Sequence, residues 1–211
     1  MTRSRRLTIV LALNLVLVIG LVVVGISAHS LGVLAAGADY VADAAAIGIA
    51  LLALWLAKRP STTKRPGGHP RANAIAALVN GGWLLVLSVL IVASAIDRLI
   101  AGTPSVHGLP VLVMSGIAAA AMIVAALILR GDIDADDDAD ETLSVRAVLL
   151  DTAADAAAAL GVAITGAIIL ATGGWDWLDP TVALVIAVVI GSHTFRLLKK
   201  VGVSLRRADP H

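Results

Sequence analysis

Apolar residues fall along the chain in six long blocks separated by short polar or charged stretches. The blocks are about Leu7–Ala28, Ser30–Ala57, Ala72–Leu99, Leu109–Leu129, Val145–Thr172 and Leu178–Leu198. Each reaches or exceeds the roughly 20 apolar helical residues needed to cross a bilayer core about 30 Å thick. They predict an all-α membrane protein, a six-transmembrane-helix bundle occupying residues 1–205, with 206–211 as a short tail and no C-terminal soluble domain. The first block follows Arg3, Arg5 and Arg6, as the core of a signal peptide would. Its apolar run exceeds the ~7–15 residues of a secretory segment and a second block follows at once, so it reads as a retained helix.

Composition agrees with this pattern and narrows the chemistry. Of 211 residues 59% are hydrophobic and 15% charged, with a mean hydropathy of +0.94; soluble domains carry about 25% charged residues. The absence of cysteine excludes disulfides, thiolate zinc sites, iron–sulfur clusters and cysteine nucleophiles. A net charge of +1 and an aromatic content of 3% leave no footprint for nucleic acid. No phosphate-binding glycine loop, nucleophile elbow or zinc-protease helix motif occurs, so neither an enzyme nor a prosthetic group is expected. The bases are unevenly placed: the N-terminus and the segments Lys58–Arg71, Arg130–Arg146 and Arg196–Arg207 hold 15 of the 16 Lys and Arg. With six alternating helices these segments share one side, and the positive-inside rule places that side and both termini in the cytoplasm.

Acids inside the apolar blocks carry the chemistry. Asp39 and Asp43 lie in the second block, Asp151 and Asp155 in the fifth, each pair spaced i, i+4 and so on one helix face. An ionised Asp near mid-membrane costs about 2.5–3.5 kcal/mol on the insertion scale, and a like charge beside it adds to that. The segments Asp39-Tyr-Val-Ala-Asp43 and Asp151-Thr-Ala-Ala-Asp155 occupy the middle helix of each half of the chain. Repeat-built transporters place a midplane site at such equivalent positions. Four converging carboxylates are tolerable when cations or protons neutralise them, and hard oxygen ligands suit a divalent metal. Desolvation and mutual repulsion favour protonated carboxyls in the empty site, so metal entry expels protons. Opened alternately to each side, the site exchanges metal for protons.

Other features are secondary. The segment Gly131–Glu141 carries seven acids; Asp137 stands where a calcium loop needs Gly, so it reads either as a cation-concentrating loop or as a solvated linker. His29, His69, His107 and His193 lie near span ends or in loops and read as interfacial residues. Asn14 and Asn80 are expected to form interhelical hydrogen bonds, and Asn14 is a candidate oxygen donor to the acidic site. Asp179-Pro180 reads as the start of the sixth helix, with Trp175 and Trp177 as interfacial anchors. Gly20, Gly25, Gly32, Gly37, Gly48 and Gly161 are expected to allow close helix approach.

The acidic pairs resemble the cation diffusion facilitator family of divalent-metal efflux transporters. Supporting landmarks are Ser30-Leu-Gly-Val-Leu-Ala, Gly68-His69-Pro70-Arg71-Ala72-Asn73 leading into Ala77-Leu78-Val79-Asn80-Gly81, and Gly174-Trp175-Asp176-Trp177-Leu178-Asp179-Pro180. The resemblance spans about residues 7–205. It implies six helices, a homodimer in the cell (inner) membrane, and efflux of Zn²⁺, Mn²⁺, Fe²⁺ or Cd²⁺ against protons, with Asp39, Asp43, Asp151 and Asp155 as metal ligands. The chain departs from the family in two respects. Only Val201–His211 follow the sixth helix where a ferredoxin-like domain is usual, and all four ligand positions are Asp where zinc-transporting relatives often have His. Carboxylate-only ligation favours harder ions such as Mn²⁺ and Fe²⁺. The competing readings are an intramembrane aspartyl protease, whose motif contexts are missing around Asp39 and Asp155, and a non-transporting helix-packing protein.

Overall fold

A computed structural model describes the backbone of residues 3–57, 70–133 and 139–207, and side chains for residues 11–45, 47, 48, 78–127, 150 and 152–199. Six helices follow one another: α1 (Arg3–Ser27), α2 (Leu31–Ala57), α3 (Pro70–Ala101), α4 (Gly108–Ile133), α5 (Ala139–Thr172) and α6 (Leu178–Arg207). Among the described residues, four helices contain apolar stretches long enough to cross a membrane: Leu78–Ala101, Gly108–Leu127, Thr152–Thr172 and Leu178–Lys199; α1 adds the shorter apolar stretch Leu11–Ser27. The chain is a multi-pass membrane protein.

The expected six elements are present, but α1, α4, α5 and α6 extend beyond their apolar blocks into charged flanks. Hydropathy marks the part of a helix that meets lipid, whereas backbone hydrogen bonding continues into the polar flank. The expected loop Arg130–Arg146 is correspondingly shorter, because α4 runs to Ile133 and α5 starts at Ala139. His69 and residues 134–138 of the acidic segment lie outside the described residues.

Large apolar side chains point outward and polar ones inward, the distribution expected of a bundle solvated by lipid. On α1, Leu13, Val16, Ile19, Val23 and Ile26 are exposed at helical spacing, while Asn14, Leu17 and Leu21 face the interior. Helices pack mainly as the pairs α1–α2, α3–α6 and α4–α5. α2 also touches α3, α5 and α6, and α5 touches α6. The two helices that carry the acidic pairs therefore lie at the centre. Asn80 donates from Nδ2 to the carbonyl of Ala42 at 3.1 Å, the interhelical bond expected of it. It fastens α3 to α2 one residue from Asp43, and Asn80→Ala is expected to lower thermal stability in detergent by about 1 kcal/mol.

Of the glycines singled out for close approach, Gly20, Gly25 and Gly37 fit: a Cβ there would meet Met114, Leu34 and Leu21. Among the described residues, no atom beyond the local helix backbone lies within 4 Å of a Cβ position at Gly48 or Gly161, so no described helix contact requires glycine there. The tightest backbone approach involves a different pair, Gly108 on α4 and Gly166 on α5. A Cβ on Gly166 would stand 2.7 Å from the nitrogen of Leu112 and 2.9 Å from the carbonyl oxygen of Gly108. Backbone atoms cannot rotate away, so Gly166→Val is expected to destabilise the bundle by about 3 kcal/mol, read as a lower thermal unfolding midpoint in detergent.

The connections at residues 28–30, 102–107 and 173–177 meet at one end of the bundle, here termed the loop end. The α3 and α5 helices close on glycines with positive φ, Gly102 (110°) and Gly173 (66°). α1 closes on His29 at φ 57°. There the nitrogens of His29 and Ser30 donate to the carbonyls of Ile26 (3.3 Å) and Gly25 (2.9 Å), a Schellman closure. Ser30 then caps α2, its hydroxyl accepting from the nitrogen of Val33 at 3.1 Å.

Asp179 binds the loop end together. It opens α6 as expected, but its fully buried carboxylate reaches across to the start of α2. It accepts from Ser30 Oγ at 2.5 Å, Leu31 N at 2.6 Å and Gly32 N at 3.2 Å. Beside it, Asp176 accepts from Val106 N at 2.9 Å, and Arg98 donates to the carbonyl of His29 at 2.6 Å.

Candidate functional site

α2 and α5 bring their acidic segments to common depths. A Cβ on Gly32 would meet Val162 at 3.4 Å, which registers residue 32 of α2 against residue 162 of α5. The helices run antiparallel, and seven residues from these points lie Asp39 and Asp155. At 1.5 Å per residue both sit about 10 Å below the contact. One turn further, the backbone of Asp151 is level with Asp43; the Asp151 side chain lies outside the described residues.

Asp155 is 8% exposed and buried within an apolar helix. Asp39 and Asp43 are half-buried on the facing helix. Asp39, Asp43, Asp155 and Thr152 each take part in polar or electrostatic interactions. Tyr40, 1% exposed, is in electrostatic reach of Asp155, Asp43 and Asp39 alike, which ties the three carboxylates to one neighbourhood. Among the described residues, no three His, Asp or Glu side chains converge tightly enough to hold a metal ion by themselves.

Two further polar atoms mark this layer. The Tyr40 hydroxyl and Asn14 Oδ1 are buried without a hydrogen-bond partner among the described residues. A Cβ on Gly37 would meet Leu21 at 3.4 Å; seven residues on from each lie Ala44 and Asn14, so Asn14 sits at the level of Asp43. An orphaned amide oxygen 5% exposed at that depth fits the donor role expected of Asn14. The sequence signal for Tyr40 is its lone phenol between two acids in an otherwise apolar helix. Of the histidines, His29 and His107 approach each other at the loop end with ring centres 6.1 Å apart, whereas His193 lies exposed on α6. Trp175 and Trp177 are also exposed at the loop end, as interfacial anchors should be.

Residues 7–206 match the family described as the cation efflux transmembrane domain. Among similar proteins, the proton-coupled zinc antiporter SLC30A2 of Homo sapiens is 30% identical over 98% of this chain and 57% of its own length. The zinc transporter ZitB of Yersinia pseudotuberculosis is 30% identical over 94% of this chain and 62% of its own. A cadmium, cobalt and zinc/H⁺–K⁺ antiporter of Bacillus subtilis is 26% identical over 86% of this chain and 58% of its own. The chain thus spans about three fifths of the length of these relatives.

Proposed function

The chain belongs to the cation efflux transmembrane domain family, and from that premise we propose that it is a secondary active transporter exchanging a divalent metal cation for protons. The metal is cargo, held by Asp39, Asp43, Asp151 and Asp155, with Asn14 supplying a further oxygen. The observation that carries this reading is Asp155: a buried carboxylate in an apolar helix, at the depth of Asp39 and in the neighbourhood of Tyr40 that Asp39 and Asp43 share. Intramembrane carboxylates of this kind serve ions and protons, and membership in a transporter family sets aside the protease alternative.

Two carboxylates on each of two neighbouring helices offer up to four oxygen ligands, with water or amide oxygens completing the shell of a Zn²⁺, Mn²⁺, Fe²⁺ or Cd²⁺ ion. Zinc is supported by the names of the human and Yersinia relatives, and manganese or iron by the all-oxygen donor set. Ligating carboxylates must be ionised, so cargo and protons compete for the same atoms and each metal that enters drives protons out. The four sequence stretches that hold 15 of the 16 bases alternate with the loop-end connections, so by the positive-inside rule the end opposite the loop end faces the cytoplasm, and cargo leaves towards the loop end.

Purified protein in liposomes, given Zn²⁺, Mn²⁺, Fe²⁺ and Cd²⁺ in turn under an imposed pH gradient, tests this reading. Gradient-driven movement of at least one ion is expected; none of the four moving contradicts it. Lowering pH on the loading side should raise the apparent KM for metal, by up to about tenfold per pH unit for each proton displaced. A KM independent of pH would rule out shared ligands.

A further inference from the structure

The intramembrane carboxylates leave the loop-end histidines without a role. His29 and His107 come from different connections, the first closing α1 and the second preceding α4. Their rings are tilted 55° to one another with centres 6.1 Å apart, and both are exposed. The pairing is built into the backbone. The nitrogen of His107 donates to the carbonyl of Ala28 at 3.1 Å, and Arg98 holds the carbonyl of His29 at 2.6 Å. Both connections are thereby fixed before any ligand arrives.

The conformation of His29 points the same way. At the two other helix ends here the fold uses Gly102 and Gly173 for the left-handed closing residue; at the third it uses His29, at φ 57°. A side chain bearing a Cβ is strained in that region where glycine is not. A side chain held in that region, where a glycine would be unstrained, invites a functional reading.

We propose that His29 and His107 form a second divalent-metal site, a weak two-imidazole site at the mouth of the bundle that takes a borderline ion such as Zn²⁺. A metal about 2.0–2.1 Å from one nitrogen of each ring puts the ring centres about 5–6 Å apart, so a small rotation of exposed side chains closes the pair on an ion. Among the described residues no third His, Asp or Glu completes a ligand set. Water therefore fills the remaining positions, and exchange is fast. An acid stands beside His107. His107 and Asp176 line an open cleft of about 430 Å³ against α4 and α5. The carboxylate of Asp176 reaches the residue before His107, accepting from the nitrogen of Val106 at 2.9 Å, and so sets a negative charge at this cleft. On the orientation proposed above, the pair meets cargo after it leaves the carboxylates; the site itself requires only that metal reach the loop end.

Zn²⁺ titrated into full-length protein in lipid nanodiscs, followed by nitrogen NMR of the five histidines, tests the site. The expected result is that the signals of His29 and His107 move together and saturate together. His29→Gly should abolish the response of His107 while raising the thermal midpoint, because it relieves the left-handed strain; lost metal binding then cannot be misfolding. His107→Gln should abolish the response of His29 in turn. A silent pair, or a His107 signal that still responds in His29→Gly, overturns the proposal. Repeating the titration with Asp155→Asn separates the two sites: the imidazole response should persist there whether or not the carboxylates carry cargo.

Discussion

Replacing Asp179 with Ala should destabilise the protein by about 3–5 kcal/mol, measured by thermal or denaturant unfolding in detergent. The carboxylate accepts three hydrogen bonds inside the bundle, from Ser30 Oγ, Leu31 N and Gly32 N. Two of these donors are first-turn amides of α2, which have no intrahelical partner, and the positive end of the helix dipole adds to the attraction. Hydrogen bonds to a charged group contribute about 1.5–3 kcal/mol each, and truncation leaves the buried donors unsatisfied. Asp179→Asn keeps an acceptor but loses the charge, so its loss should be intermediate. The anchor also joins α6 to the helix that carries Asp39 and Asp43, so a change here should lower transport by disturbing α2 as well as the fold. A loss below about 1 kcal/mol would show that the buried contacts do not hold α2 in place.

Asp155→Ala should have the opposite signature, with transport abolished and the fold intact. Removing a liganding carboxylate should weaken metal binding at least about 100-fold, the upper end of the effect seen for groups that only support a ligand. Stability should be unchanged or slightly higher, because the substitution takes an ionisable group out of an apolar helix, where its burial is costly. Two buried aspartates thus differ in sign. Asp179 accepts three hydrogen bonds and holds helices together; on the reading proposed above, Asp155 serves cargo and protons. If Asp155→Ala unfolds the protein as Asp179→Ala does, the acidic layer is a packing device rather than a cargo site.

How much of this was legible in the sequence follows from how far each interaction reaches along the chain. The helices and the i, i+4 acidic pairs were visible because periodicity and hydropathy are local. The role of Asn80 was also visible, since an amide inside an apolar stretch has few alternatives to a neighbouring helix. The reach of Asp179 was hidden: Asp-Pro at a helix start is fully accounted for by local capping, and nothing nearby signals a partner 147–149 residues earlier. The Gly108–Gly166 contact was hidden for the same reason, because only the packing of α4 on α5 distinguishes it from glycines such as Gly48, where a Cβ would meet no described neighbour. The pairing of His29 with His107 required the loop end to be assembled. A lone tyrosine in an apolar helix reads as core, and the significance of Tyr40 comes from Asp155 on another helix.

Exchange at the acidic layer is tested most directly by recording metal and internal pH together in the same proteoliposomes, for the unaltered chain and for Asp155→Ala. Metal movement in one direction with proton movement in the other, in fixed ratio, and the loss of both in Asp155→Ala, is the predicted result. Metal flux with no opposing proton flux, or transport that survives Asp155→Ala, would contradict it.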